Sequence, residues 1–89
     1  MEEVDIAAAT DRLMRFLKVP GITGEELLIG KDIVAALKQV GVPSRSIRFD
    51  DAHTRIELPT QTGNLLVDLP GRGALKDAER VLFMTHMDT

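Results

Sequence analysis

The last ten residues decide how this chain reads: Arg80-Val81-Leu82-Phe83-Met84-Thr85-His86-Met87-Asp88-Thr89. Val81–Met84 is apolar without alternation. That pattern predicts a strand buried on both faces, as in the middle of an α/β sheet. The strand then runs out into His86, with Asp88 two residues later. Side chains at i and i+2 of an extended segment point to the same side, so His86 and Asp88 can face one pocket. In α/β proteins the carboxyl ends of central strands are where ligands bind. An imidazole there can ligate a divalent metal through one nitrogen, while a neighbouring carboxylate fixes its tautomer. From spacing alone, a polar pair closing a strand is the plainer reading.

Working back from this stretch, Gly73–Glu79 is a polar loop and Pro70-Gly71-Arg72-Gly73 is turn chemistry. Asn64–Leu69 alternates, with Leu65, Val67 and Leu69 on one face, and predicts a strand. As sequential strands joined without a helix, Asn64–Leu69 and Arg80–Thr85 are expected to be antiparallel neighbours. Ile47 and Phe49 alternate with Arg48 and Asp50 in an earlier short strand; Pro59 and Thr60–Gly63 form a break. Upstream the period changes. Ile6, Ala9, Leu13, Phe16 and Leu17 share one helical stripe between about Val4 and Lys18, with Arg12 and Arg15 opposite. A second helix is expected from Gly24 or Glu25 to Val40, carried by Leu27, Ile33, Val34, Leu37 and Val40. Thr23-Gly24-Glu25-Glu26 fits a capping box at its start, and Gly41 with Pro43 stops it. The order is helix, helix, strand, strand, strand. The expected fold class is α/β, with two N-terminal helices packed on a small mixed sheet and Val81–Met84 its most buried strand. On that placement, Phe83→Ala would cost about 3–5 kcal/mol.

At 89 residues the chain has room for one domain. A chain of this size buries only about 60–65% of its unfolded surface, so its core is small. There is no cysteine, hence no disulfide and no thiolate zinc site, and the only aromatics are Phe16, Phe49 and Phe83. Net charge is −3 with the signs interleaved, apart from the acidic start Glu2-Glu3-Val4-Asp5. No basic stripe is present to neutralise phosphates, which argues against nucleic acid or an anionic membrane surface as the main partner. No apolar run approaches the roughly 20 residues that span a bilayer, and the amino terminus lacks the order of a signal peptide. The expected location is the cytoplasm.

Gly63-Asn64-Leu65-Leu66-Val67-Asp68-Leu69-Pro70-Gly71, a polar loop, and then Val81-Leu82-Phe83-Met84-Thr85-His86-Met87-Asp88-Thr89 together resemble the start of the M20 family of metallopeptidases. In that family a strand of the form Gly-Asn…Leu-Pro-Gly precedes an apolar strand ending in His-Met-Asp-Thr. The helix pair is similar to the family's N-terminal region. The Pro59–Asn64 segment and the spacing are most similar to its tripeptidase, peptidase T-like, branch. The resemblance implies that His86 is a ligand of one zinc ion in a two-zinc site. It makes Asp88 the catalytic-site carboxylate that orients and polarises the histidine. The glutamate general base, a bridging aspartate and the remaining ligands lie downstream in the family. The resemblance therefore implies an N-terminal segment of a zinc aminopeptidase-like catalytic domain, incomplete over residues 1–89. Its parent would be a cytoplasmic hydrolase of short peptides, whereas this chain alone is expected to be inactive and to retain no zinc. A related amidase, deacetylase or carboxypeptidase would use the same two residues. The alternative class is a small non-catalytic α/β module whose terminal strand edge pairs with a partner chain or with itself.

The other chemistry-bearing residues have plainer explanations. Asp50-Asp51-His53 reads as a solvated acidic turn, and Gly71-Arg72-Gly73 as a turn with no helix opening after it. Ser44 and Ser46 lack a nearby base and a nucleophile elbow. Glu25 and Glu26 belong to a helix start, and Met84 and Met87 read as core filler and pocket wall.

Overall fold

The computed structural model describes residues 3–88; Glu2 of the acidic start and Thr89 of the terminal motif lie outside them. Two helices, α1 (Ile6–Leu17) and α2 (Leu27–Gln39), precede two short strands, β1 (Ile47–Phe49) and β2 (Leu65–Val67). Single 3-10 turns fall at Ser44–Ser46, Ala52–Arg55 and Gly73–Leu75. The chain is thus mixed α/β. Among the described residues its sheet is a two-stranded antiparallel ribbon rather than a mixed sheet.

Each helix end has an identifiable cause. Asp5 caps α1, its carboxylate accepting the Ala8 amide at 3.0 Å. At the other end of α2, Gly41 takes φ +97°. The Val42 amide reaches back to the Leu37 carbonyl at 3.0 Å, and the Gly41 amide to Lys38 at 3.1 Å. This is the double-bonded Schellman closure, so the expected glycine stop holds. The start of α2 differs from the capping-box expectation. Thr23 and Gly24 occupy the centre of a turn closed by the Glu25 amide on the Ile22 carbonyl, 2.8 Å. Gly24 there has φ +86°, the left-handed value a type II turn requires at its third position. The helix consequently begins only at Leu27, too far on for the Thr23 hydroxyl to cap it. Glu26 does reach back, but to the Gly24 amide at 2.7 Å. The free Leu27 amide is taken by the Gln61 side-chain carbonyl at 3.1 Å, from 34 residues away.

Ile29 on α2, 3% exposed, is the one buried large side chain among the described residues. Next to it, Gly30 lets the helix approach β1: a Cβ at Gly30 would sit 3.2 Å from the Phe49 ring. The ribbon pairs Ile47 with Val67, Arg48 with Leu66 and Phe49 with Leu65. On the other side, α1 meets α2 through Arg15, expected on the solvent face. Its guanidinium holds both Asp32 carboxylate oxygens, at 2.9 and 3.1 Å. Most of the expected apolar stripe of α1 is exposed, at Ile6, Leu13 and Leu17, while Phe16 is half-buried beside Arg15. Helix periodicity identifies a stripe but not the neighbour that covers it; here a bidentate ion pair joins α1 to α2.

The terminal stretch departs furthest from expectation. Residues 80–85 form no strand, and β2 pairs with β1 instead. Val81, Leu82, Phe83 and Met84 are all exposed, Phe83 at 91%, so the segment expected to be most buried is the least. Among the described residues, no backbone–backbone hydrogen bond involves residues 79–88. The physical reason is one of supply. A strand apolar on both faces needs a layer on each side and a paired edge, and two helices and a short ribbon offer neither. Phe83→Ala, which core placement would make severe, is now expected to change stability by less than about 0.5 kcal/mol in urea denaturation.

The same shortfall shows in the whole chain. Its accessible surface is 7681 Å², against about 5,200 Å² for a folded monomer of this mass. Its radius of gyration is 15.0 Å, against about 12 Å for a compact domain of this length. No helix among the described residues is long and apolar enough to cross a membrane.

Candidate functional site

His86 and Asp88 do come together. The imidazole Nδ1 lies 2.8 Å from the Asp88 carboxylate Oδ1 and 3.0 Å from the Asp88 backbone carbonyl. Both neighbours are acceptors, so the nitrogen facing them must carry the proton. In neutral imidazole that leaves the lone pair on Nε2. The His86 side chain is 81% exposed, and Asp88, at 31%, is the more enclosed of the two.

The other carboxylate oxygen of Asp88, Oδ2, accepts the Thr23 hydroxyl at 2.6 Å, across 65 residues of sequence. This is the hydroxyl expected in a capping box; the Ile22–Glu25 turn redirects it to the terminal motif. The Thr23 hydrogen bond is the main cause holding the Asp88 carboxyl below its ordinary value. Desolvation opposes it and the His86 imidazole adds to it. Met87, between the two, packs against α2: its carbonyl and its sulfur lie within 4 Å of where Cβ atoms on Gly21 and Gly30 would be. Met84, in contrast, is exposed and fills no core. Thr23 also walls a cleft of about 410 Å³ with Gly24, Glu25, Pro59, Thr60 and Gln61.

The Asp50 cluster remains a turn, with a structural job that spacing does not show. Asp50 Oδ1 accepts the Asn64 amide at 2.7 Å and the Ala52 amide at 3.1 Å, while Oδ2 accepts the Asn64 side-chain amide at 3.0 Å. The carboxylate therefore clamps the end of β1 to the start of β2. Gly63 is required beside it, because a Cβ there would land on the Asp50 carbonyl and carboxylate oxygens. The Asn64 side chain, then the Ala52 and Asn64 amides, hold the Asp50 carboxyl below its ordinary value. With a lowered folded-state pKa, the clamp's contribution is complete above about pH 4 and is lost as pH falls through the lowered value. Asp50→Asn is accordingly expected to be less stable at neutral pH and to show a flatter acid dependence in denaturant titrations.

The donor chemistry of His86 suits a zinc ion, since the tautomer imposed by Asp88 leaves Nε2 available. The donor count does not suffice. Zinc takes three or four protein ligands, and among the described residues no group of three or more His, Cys, Asp or Glu side chains is placed to hold a metal. No metal-dependent step follows from these residues alone.

No family model, no curated protein and no solved structure matches this chain.

Proposed function

We propose that this chain contributes the first zinc ligand, His86, and its orienting carboxylate, Asp88, to an M20-like aminopeptidase of the tripeptidase branch. The reading is carried by the His86–Asp88 contact of 2.8 Å within the His-Met-Asp-Thr motif. The enzyme would act on short peptides in the cytoplasm. When bound, a pair of zinc ions supplies an activated water and polarises the scissile carbonyl. This chain's own part is to present Nε2 of His86 in one tautomer and to hold it there through Asp88. The resemblance places the general base and the remaining zinc ligands downstream of Thr89, so the 89-residue chain is expected to show no peptidase turnover with or without added zinc. Turnover abolished by a chelator and restored by zinc would overturn that expectation. The parent assignment is tested by sequencing the gene beyond Thr89. A lone Asp, a Glu-Glu pair and a distal His are expected to follow; an immediate stop codon would count against it.

The uncovered Val81–Met84 segment favours a second reading, a non-catalytic module that self-associates through this exposed apolar segment. That reading predicts a concentration-dependent dimer by light scattering, abolished by Phe83→Asp. A monomer across the accessible concentration range excludes it.

A further inference from the structure

Residues 79–88 take part in no backbone–backbone hydrogen bond among the described residues, so side chains must place the Asp88 carboxylate. The contact between His86 and Asp88 is local and confers no position relative to the rest of the fold. One hydrogen bond among the described residues ties this pair to the body of the protein: Thr23 Oγ to Asp88 Oδ2, 2.6 Å. Thr23 is itself held. The Ile22–Glu25 turn fixes its backbone, the Glu26 carboxylate holds the Gly24 amide at 2.7 Å, and the Gln61 amide holds the Gly24 carbonyl at 3.0 Å. A donor held in this way occupies Oδ2 and stops the carboxylate rotating, which leaves Oδ1 facing Nδ1 of His86.

We infer that Thr23 is a positioning residue for His86: its hydroxyl locks the Asp88 carboxylate, which in turn keeps the imidazole proton on Nδ1 and the lone pair on Nε2. The role of that lone pair as a metal ligand rests on the zinc-peptidase reading; the tautomer lock does not. Met87 packing against α2 docks the segment independently of the hydroxyl, so docking and tautomer are separable.

The test is nitrogen-15 NMR of the two imidazoles in the metal-free 89-residue chain, with His53→Gln assigning the His86 signals. The pH is held about two units above the ordinary imidazole value of roughly 6.5. Wild type is expected to carry the His86 proton mainly on Nδ1. Thr23→Val, equal in shape but without a donor, is expected to lower the Nδ1–H to Nε2–H ratio at least twofold while the Met87 and Gly30 amides stay in place. Thr23→Ser is expected to restore the wild-type ratio. The inference is overturned by a wild-type His86 protonated on Nε2, by a ratio indifferent to Thr23→Val, or by Val and Ser acting alike. It is equally overturned if Thr23→Val displaces Met87, since Thr23 would then be an anchor only. The zinc-peptidase reading is tested separately by the gene sequence beyond Thr89. If the expected Asp, Glu-Glu and His residues do not follow while the tautomer follows Thr23, the metal assignment fails and the lock stands.

Discussion

Ile29→Ala is expected to lower the stability of this chain by about 2–5 kcal/mol and to abolish its cooperative unfolding transition. Ile29 is 3% exposed and has no other large buried side chain beside it among the described residues. Its branched side chain sits where three pieces converge. A Cβ on Gly21 would touch Ile29 Cγ2 at 2.9 Å, Gly30 follows it in α2, and Phe49 of β1 lies against Gly30. Truncation removes transfer free energy and leaves a cavity that a larger core would partly fill by relaxation. Here no second buried layer is present to relax into it. Urea denaturation followed by circular dichroism reads the effect. Ile29→Val, which removes one methylene, should lose only about 0.5–1.5 kcal/mol. A loss under about 1 kcal/mol for Ile29→Ala would mean that the core lies elsewhere.

The second large effect is expected from Gly63→Ala. The added methyl group would overlap the Asp50 carbonyl and carboxylate oxygens, and backbone on one side cannot give way as a flexible side chain could. Either the β1–β2 register shifts or Asp50 releases Asn64, and the clamp's three hydrogen bonds are lost together. Overpacking of this kind costs about 1–3 kcal/mol. The signature that separates it from ordinary destabilisation is local: amide exchange should rise at Asp50, Asn64 and Asp68, whose cross-ribbon hydrogen bonds are 2.7 to 2.9 Å long, before α2 is affected. Unchanged protection at these amides would show that the ribbon tolerates the methyl group.

These two positions also show which features were legible in the chain. The Gly63-Asn64 pair was visible as a motif, but its cause was not, because its partner Asp50 is 14 residues away and reads as part of a solvated turn. The apolar spacing of α2 points to Leu27, Ile33, Val34, Leu37 and Val40 rather than to Ile29, yet Val40 is 66% exposed. Spacing finds a face to within about a turn, and the packed neighbour chooses the residue. The Thr23 hydroxyl, three residues before Glu26, has the local spacing of a cap. Gly24, at φ +86°, turns the chain so that the same hydroxyl meets Asp88. The apolar composition of Val81–Met84 records a need for cover, which composition cannot itself provide.

Sequence alone determined the local elements of this protein: two helices with their glycine stop at Gly41, the two short strands, the turn between them, and a histidine and an aspartate spaced to face one another. Those features depend on neighbours within about four residues, where backbone sterics and side-chain period are decisive. Tertiary structure alone decided that β2 pairs with β1, that Arg15 joins α1 to α2, and that Thr23 holds Asp88. Each of these joins residues 16 to 65 positions apart, through contacts whose partners no local pattern can name.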